Sequence, residues 1–360
     1  MAKKKLAVIG IRGFPNVQGG AEKHCFELVP RLAETFDCIV YRRKAYVSKA
    51  KDLKIPGVKF IDISAPRIQG VETFIHSLFC CFHLLFHRVD CVNIHNIGPG
   101  FFAPFLRAFG YKVVLTYHSA NYEHKKWSRF SRSFLRLCES LSFRFSNRVI
   151  FVSKFQYARS PKEIIEKSTV IPNGVTSFPS AEEDIFLEKH GIIRGGYILA
   201  VGRLASEKGF EYLINAVEDI DEVLQVVIAG AADYKSHYYE YLKECDKKQK
   251  VIFTGYANDM EMGVLYKNSR IFALPSLSEG NPIALIDAMA FGIPVVISDI
   301  PATHNMGLPP DSYAKAGDVA SLKEAIYRML HQPARMKYDL TEYDWDRIYR
   351  QTKEIYETIL

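Results

Sequence analysis

No two cysteines of this chain stand in C-x-x-C spacing, and the seven present are odd in number: Cys25, Cys38, Cys80, Cys81, Cys91, Cys138 and Cys245. Most lie in apolar runs, so buried thiols in a reducing compartment are expected rather than a disulfide framework. No His/Cys cluster has the spacing of a zinc site. The G-x-G-x-x-G fingerprint is missing, which weakens a nicotinamide-binding reading. No nucleic-acid motif, internal repeat or low-complexity tract is found. Long apolar runs are lacking too. The strongest candidate, 73–87, carries His76, His83 and His87 and is expected to be a buried helix, not a membrane span. A secretory leader is not expected, because Lys3-Lys4-Lys5 is followed by only a short strand-like run and then Gly10. The expected location is cytoplasmic, with the inner face of the cell membrane as a peripheral site.

What is present suits two domains. A chain of 360 residues, 48% hydrophobic and 24% charged, reads as an ordinary soluble protein with ample core. Its charge is uneven. Residues 1–175 carry 28 Lys+Arg against 12 Asp+Glu, a net +16, while the remainder carries 19 against 28, a net −9. Only the first half therefore suits an anionic surface. Within it, Lys125-Lys126-Trp127-Ser128-Arg129-Phe130-Ser131-Arg132-Ser133-Phe134-Leu135-Arg136-Leu137 interleaves bases with Phe and Leu at helical spacing. That pattern fits a basic amphipathic helix on an anionic membrane, and equally the solvated face of a soluble enzyme.

Short apolar runs separated by helical segments imply parallel sheets covered on both faces. In the first half the expected strands are 6–9, 38–41, 58–61, 91–94, 113–116 and 149–152, with a helix over 21–34 and a long one ending near Asn147. A second series follows at 198–201, 225–229, 251–253, 271–274 and 295–297. The fold class is α/β, with two Rossmann-like doubly wound domains facing a cleft. Val170-Ile171-Pro172-Asn173-Gly174-Val175 is the expected join, since Pro and Asn-Gly break regular structure.

The most informative stretch runs from Ser276 to Val296. Its strand ends near Leu274, and a loop presents Glu279. Pro282 suits a first helical position and 284–290 favours helix. Asp287 follows Glu279 by eight residues, and Gly292-Ile293-Pro294 stops the helix. Two carboxylates and several helix N-terminal N–H groups would gather at the carboxyl end of a parallel strand, an arrangement suited to a ligand with hydroxyls and phosphates. This segment resembles the acid-x7-acid signature of retaining glycosyltransferases with the GT-B fold, in the large family numbered four (glycosyl transferases group 1). The family usually has Glu at both ends, whereas here the second acid is Asp287, shorter by one methylene.

The resemblance extends along nearly the whole chain. The Pro-Asn-Gly-Val join is shared, and 343–359 looks like the helix that crosses back onto the first domain in this fold. The implied domains are 1–172 with 343–360, on the acceptor side, and 173–342, which binds the nucleotide sugar. In Ala200-Val201-Gly202-Arg203-Leu204-Ala205-Ser206-Glu207-Lys208-Gly209-Phe210, Arg203 and Lys208 sit five apart around a strand-to-helix turn. Two fixed cations there would stabilise charge growing on the β-phosphate of a departing nucleoside diphosphate. Arg203 brings a planar fork and Lys208 a point charge. The competing reading is a surface salt bridge of either residue with Glu207. Gly280, Asn281, Pro282 and Ile283 would add backbone N–H groups, Glu279 would hold donor-sugar hydroxyls, and Asp287 the ribose.

In the first half, Gly19-Gly20 allows close backbone approach and opens a helix. In the family this loop closes over the donor phosphate and borders the acceptor. His118, after the strand 113–116, lies where relatives place a residue that hydrogen-bonds the donor sugar; the alternative is a satisfied core histidine. His95 and Asn96 are further candidates, and Gly255-Tyr256 would lie against the base. Glu123-His124-Lys125-Lys126-Trp127 is similar to a subgroup linked to rhamnose transfer that reads Asp-Gly-Leu-Glu-Trp-Lys-Arg. Where that subgroup has Asp-Gly this chain has His118-Ser119, so donor identity does not carry over. Asp219-Ile220-Asp221 and Asp344-Trp345-Asp346 have metal-holding spacing but do not follow strands, and the second suits a helix start. The resemblance thus implies a retaining, metal-independent transfer of a sugar from a nucleotide-sugar donor to a hydroxyl of a glycan or lipid-linked glycan, in bacterial surface polysaccharide synthesis. No cofactor is expected, and the partners are donor, acceptor and an anionic membrane surface, not nucleic acid. The rival readings are a nucleotide-sugar epimerase of the same fold and an inactive glycan-binding protein.

Overall fold

Leu6-Ala7-Val8-Ile9 has no polar side chain, and a strand covered on both faces needs none. In the computed structural model this run is the middle of a parallel sheet. The structure describes residues 2–360 apart from 48–53, 69, 121–127, 180–182, 233–236 and 305. The chain divides into two compact units, Met1–Gly174 with Tyr343–Leu360, and Val175–Glu342.

The first unit has seven strands: β1 (Lys5–Ile9), β2 (Asp37–Arg43), β3 (Val58–Ile63), β4 (Cys91–His95), β5 (Lys112–Tyr117), β6 (Arg148–Phe151) and β7 (Ser168–Val170). All pair in parallel, in the order β3-β2-β1-β4-β5-β6-β7. The second unit repeats the plan with β8 (Tyr197–Val201), β9 (Gln225–Ala229), β10 (Val251–Gly255), β11 (Ile271–Leu274), β12 (Val295–Asp299) and β13 (Tyr313–Lys315), ordered β10-β9-β8-β11-β12-β13. Each order reverses direction once, between β1 and β4 and between β8 and β11. Loops leaving the carboxyl ends of strands at such a reversal diverge and leave room for a ligand. β7 and β13 were not foreseen. Each is a three-residue edge strand, too short to show a period.

Alternation along β1 sorts side chains onto two cores. Ala7 and Ile9 join Val92, Ile94, Val113 and Leu115 under Cys80, Cys81 and Leu84 of the helix Glu72–Phe86. Leu6 and Val8 meet Cys25, Leu28 and Leu32 of the helix Gly20–Leu32. Trp345, Ile348, Ile355 and Tyr356 complete that second core, so the terminal helix Trp345–Glu357 belongs to the first unit. Asp344 caps it, accepting from the Arg347 N–H at 2.8 Å, and Asp346 pairs with Arg31. Six of the seven cysteines are buried thiols and Cys245 is half-buried.

The helix Glu72–Phe86 corrects one expectation. It is not buried all round: Phe79, Phe82 and Phe86 line an outer ridge at 46%, 49% and 83% exposure. Among the described residues no helix is long and apolar enough to cross a membrane.

Candidate functional site

In the second unit β8 and β11 are paired neighbours, with Ile198 opposite Ile271. The loops that follow them therefore share the place where the strand order reverses. Gly202 leaves β8, and a Cβ there would sit 3.2 Å from the Lys208 side chain. Its absence lets the lysine stem lie along the backbone. Gly209 then turns left-handed at φ +64, where a Cβ would meet the Pro275 carbonyl at 2.4 Å.

Lys208 Nζ donates to Glu279 Oε1 at 2.6 Å, and Ser276 Oγ donates to the same oxygen at 2.6 Å. Among the described residues Glu279 Oε2 receives no hydrogen bond. Arg203 lies 3.6 Å from Glu207 Oε1, the salt bridge weighed as the competing reading. Both cations are therefore matched by carboxylates. Glu207 and Ser276 were not singled out as site residues from sequence. Ser276 stands three positions before Glu279 in the quoted stretch, and that proximity is the signal that could have found it.

The helix Ile283–Ala290 starts one residue later than expected. Pro282 is extended, at φ −75 and ψ 106, and no side chain caps the helix. Its first N–H groups are left to a ligand or water. Gly280 is buried and Asn281 half-buried just before it. Asp287 differs more. It is 4% exposed, and its Oδ1 accepts the Thr176 N–H at 2.8 Å. The second acid is drawn into the fold, not left on an open rim beside Glu279; a carboxylate one methylene shorter than Glu stays close to its own helix. Gly255 closes β10, two strands from β8, and Tyr256 beyond it is 42% exposed.

In the first unit Gly19 has φ +148, and a Cβ there would lie 2.0 Å from Glu22 Oε2. The glycine lets Glu22 fold back and accept the Arg12 N–H at 3.0 Å, which holds the loop after β1. Gly20 opens the helix. His118, half-buried just past β5, places Nε2 at 2.9 Å from His95 Nδ1, so one proton is shared between the two rings. The His24 ring stands 5.2 Å from His118 and 5.7 Å from His95. His24 Nδ1 donates to Asn173 Oδ1 at 2.9 Å. Burial pushes the His24 pKa down to about 4 despite that bond. Burial also holds His95 and His118 well below the ordinary imidazole range, helped by their neighbouring histidines. The three imidazoles are neutral at physiological pH. His24 and Asn173 were not foreseen here; 149 residues separate them. Asn96 adopts φ +70 beside this group.

The remaining candidates are accounted for otherwise. Asp219 pairs with Lys248 and Lys323. Glu123-His124-Lys125-Lys126-Trp127 lies outside the described residues. Among those described, no three His, Cys, Asp or Glu are placed to hold a metal ion.

The sequence model "Glycosyl transferases group 1" matches residues 183–344, and "Glycosyltransferase Family 4" matches residues 18–177. Each unit of the chain thus resembles a glycosyltransferase model. An uncharacterized glycosyltransferase of Methanocaldococcus jannaschii is 32% identical over 173 residues, 44% of each chain. The chain thus spans under half of that relative's length. The O-antigen chain mannosyltransferase RfbU of Salmonella typhimurium is 24% identical over 305 residues, 82% of this chain and 81% of its own. The solved sucrose-phosphate synthase of Thermosynechococcus elongatus, 20% identical, superposes with a TM-score of 0.82 over 99% of both chains. The fold is GT-B.

Proposed function

We propose that this glycosyltransferase moves a sugar, with retention and without a metal, from a nucleotide-sugar donor to a hydroxyl of a glycan or lipid-linked glycan, in bacterial surface polysaccharide synthesis. The observation that carries the reading is the Lys208–Glu279 pair, with Arg203 on the same loop as Lys208, at the β8/β11 switch point. As the C1–O bond to the phosphate breaks, negative charge grows on the departing diphosphate. Arg203 and Lys208 meet it, and the uncapped N–H groups of the helix Ile283–Ala290 add to them. A donor diphosphate that takes Lys208 leaves Glu279 Oε1 still held by Ser276. Oε2 then accepts from the sugar hydroxyls. The acceptor oxygen bonds C1 on the face the phosphate leaves, and its proton passes to that phosphate. Ribose binding by Asp287 requires it to share its carboxylate with the Thr176 N–H. Gly255-Tyr256 lies against the base. The part given to His118 needs a neutral imidazole, and burial supplies one.

A melting experiment with UDP, GDP, dTDP and ADP tests the donor half. At a hundred times its Kd one of them adds about 2.7 kcal/mol to stability, a rise of roughly 4 °C for a chain of 360 residues. The rise should vanish in Lys208→Ala. No response to any of the four would remove the reading's basis.

The reading places the first unit on an anionic membrane, in the cytoplasm. The helix Arg129–Phe145 exposes Phe130, Phe134 and Leu137. It carries Arg129, Arg132, Arg136 and Arg144 against one acid, Glu139, which accepts from Tyr117. Lys125 to Trp127, expected at its start, lie outside the described residues. Phe134 meets Phe74 of the helix Glu72–Phe86 at 6.2 Å, so the two helices touch near the start of each. Burying an exposed Phe in lipid contributes about 1.5–3 kcal/mol. Replacing Phe79, Phe82 and Phe86 together with Ser should cut recovery on phosphatidylglycerol vesicles at least tenfold without lowering the melting point. Equal recovery of the unaltered protein on neutral and anionic vesicles would contradict this placement.

A further inference from the structure

Arg12 and Arg67 both stack on one tyrosine. The Arg12 guanidinium lies 5.2 Å from the Tyr46 ring centroid and that of Arg67 lies 5.3 Å from it. Arg12 follows β1, Tyr46 follows β2 and Arg67 follows β3, so the carboxyl ends of three adjacent strands converge on this ring. Arg43, the last residue of β2, joins them: its N–H donates to the Arg12 carbonyl at 2.8 Å. It is 6% exposed, and its Nε has no hydrogen-bond partner.

The nearby acids are already engaged. Glu72 lies 3.6 Å from Arg43 and accepts the Tyr46 hydroxyl at 2.9 Å, which fixes the ring. Glu22 is committed to the Arg12 backbone. Asp62 forms a two-pronged pair with Arg42 at 2.7 and 3.0 Å. Among the described residues no carboxylate lies in ion-pair range of the exposed Arg67. Burial and the Arg12 charge both pull the Arg43 pKa down, while Glu72 and Glu22 oppose them. A buried guanidinium with an open donor beside two stacked ones is arranged for an anion with several oxygens. Apolar surface adjoins it, since Ile68 and Val71 are 57% and 43% exposed next to Arg67. The ridge of Phe79, Phe82 and Phe86 follows on the helix that begins there.

We propose that Arg12, Arg43 and Arg67, gathered round Tyr46, bind the diphosphate of an acceptor carried on a prenyl chain, with Ile68 and Val71 under the chain's first carbons. The word acceptor rests on the transfer reading above; the binding does not. An anion of one charge and no lipid would use neither the third guanidinium nor the apolar edge.

The test is calorimetric titration of the full chain with citronellyl diphosphate, a soluble prenyl diphosphate. UDP, GDP, dTDP and ADP are present together at saturation, so that the second unit's diphosphate site is filled. Binding is expected, with about tenfold loss in Arg67→Ala and again in Arg12→Gln, one charged hydrogen bond each. Arg88→Ala, an exposed arginine elsewhere on the unit, should bind as the unaltered protein does, and citronellol should not bind. Arg67 is exposed, so its replacement does not threaten folding. Absence of binding under these conditions, or an affinity unchanged in both variants, overturns the proposal. So does a loss seen only on phosphatidylglycerol vesicles, which would assign the cluster to lipid headgroups. A protein that binds citronellyl diphosphate through Arg67 yet is not stabilised by any nucleotide would keep this site and lose the transfer reading.

Discussion

Replacing Arg203 with Ala should lower turnover by roughly 10²–10³, the loss typical of one preorganised group that stabilises transition-state charge. The structure explains why the loss should fall on turnover more than on folding. Arg203 is about one-third exposed, and its pairing with Glu207 at 3.6 Å is loose, so the pair adds little stability. Its value comes when a diphosphate arrives and charge builds on the leaving oxygen. Arg203→Lys separates charge from shape: it keeps the cation, loses the two-pronged fork, and should recover part of the loss. Glu207 is nearly buried and is left without its cation in Arg203→Ala. The double variant Arg203→Ala/Glu207→Gln removes that complication. It should melt like the unaltered protein and still turn over slowly. Near-normal turnover in either variant would refute the role.

The legibility of this chain followed burial. Strands such as β1, β9 and β11 were visible because parallel strands covered on both faces are uninterrupted apolar runs, and 225–229 and 271–274 were located to the residue. β7 and β13 were invisible because an edge strand of three residues has neither length nor period. The meeting of the loops that carry Lys208 and Glu279 could be anticipated because each sits within a few residues of a strand end, and strand order then brings the ends together. The histidine group could not. His24 lies on a helix, His95 on one strand, His118 just past another, and Asn173 in the join; only the packed first unit makes them neighbours. Asp287 shows the opposite failure. Spacing placed it correctly on its helix, but nothing in the spacing says that its carboxylate turns to the Thr176 backbone. The helix Glu72–Phe86 misled for a related reason. Its composition is apolar all round, which suits burial on every side and also suits a helix with one face in a core and the other open.

Lowering the pH from 7.5 to 5 should destabilise the first unit strongly, and the buried histidines give the sign. Burial sets His24 and His76 at about 4, against 6.5 when free. Near His76 the Arg43 charge acts in the same direction, and a bond to the Arg42 backbone opposes it. The unfolded chain therefore takes up protons that the folded one refuses. Stability from these groups is complete above about pH 6.5 and is lost as the pH falls toward 4. At pH 5 each contributes a loss of about 2 kcal/mol, and His95 and His118 add in the same direction. The two histidines with assigned values alone should lower the melting temperature by roughly 10 °C. His76→Gln removes one titrating group from a helix that otherwise packs through Cys80, Cys81 and Leu84. Its melting point at pH 7.5 falls modestly, but the drop between pH 7.5 and 5 should shrink by about a quarter, one of four such histidines. A variant with an unaltered pH slope would show that His76 titrates normally in the fold, and that the acid sensitivity has another source.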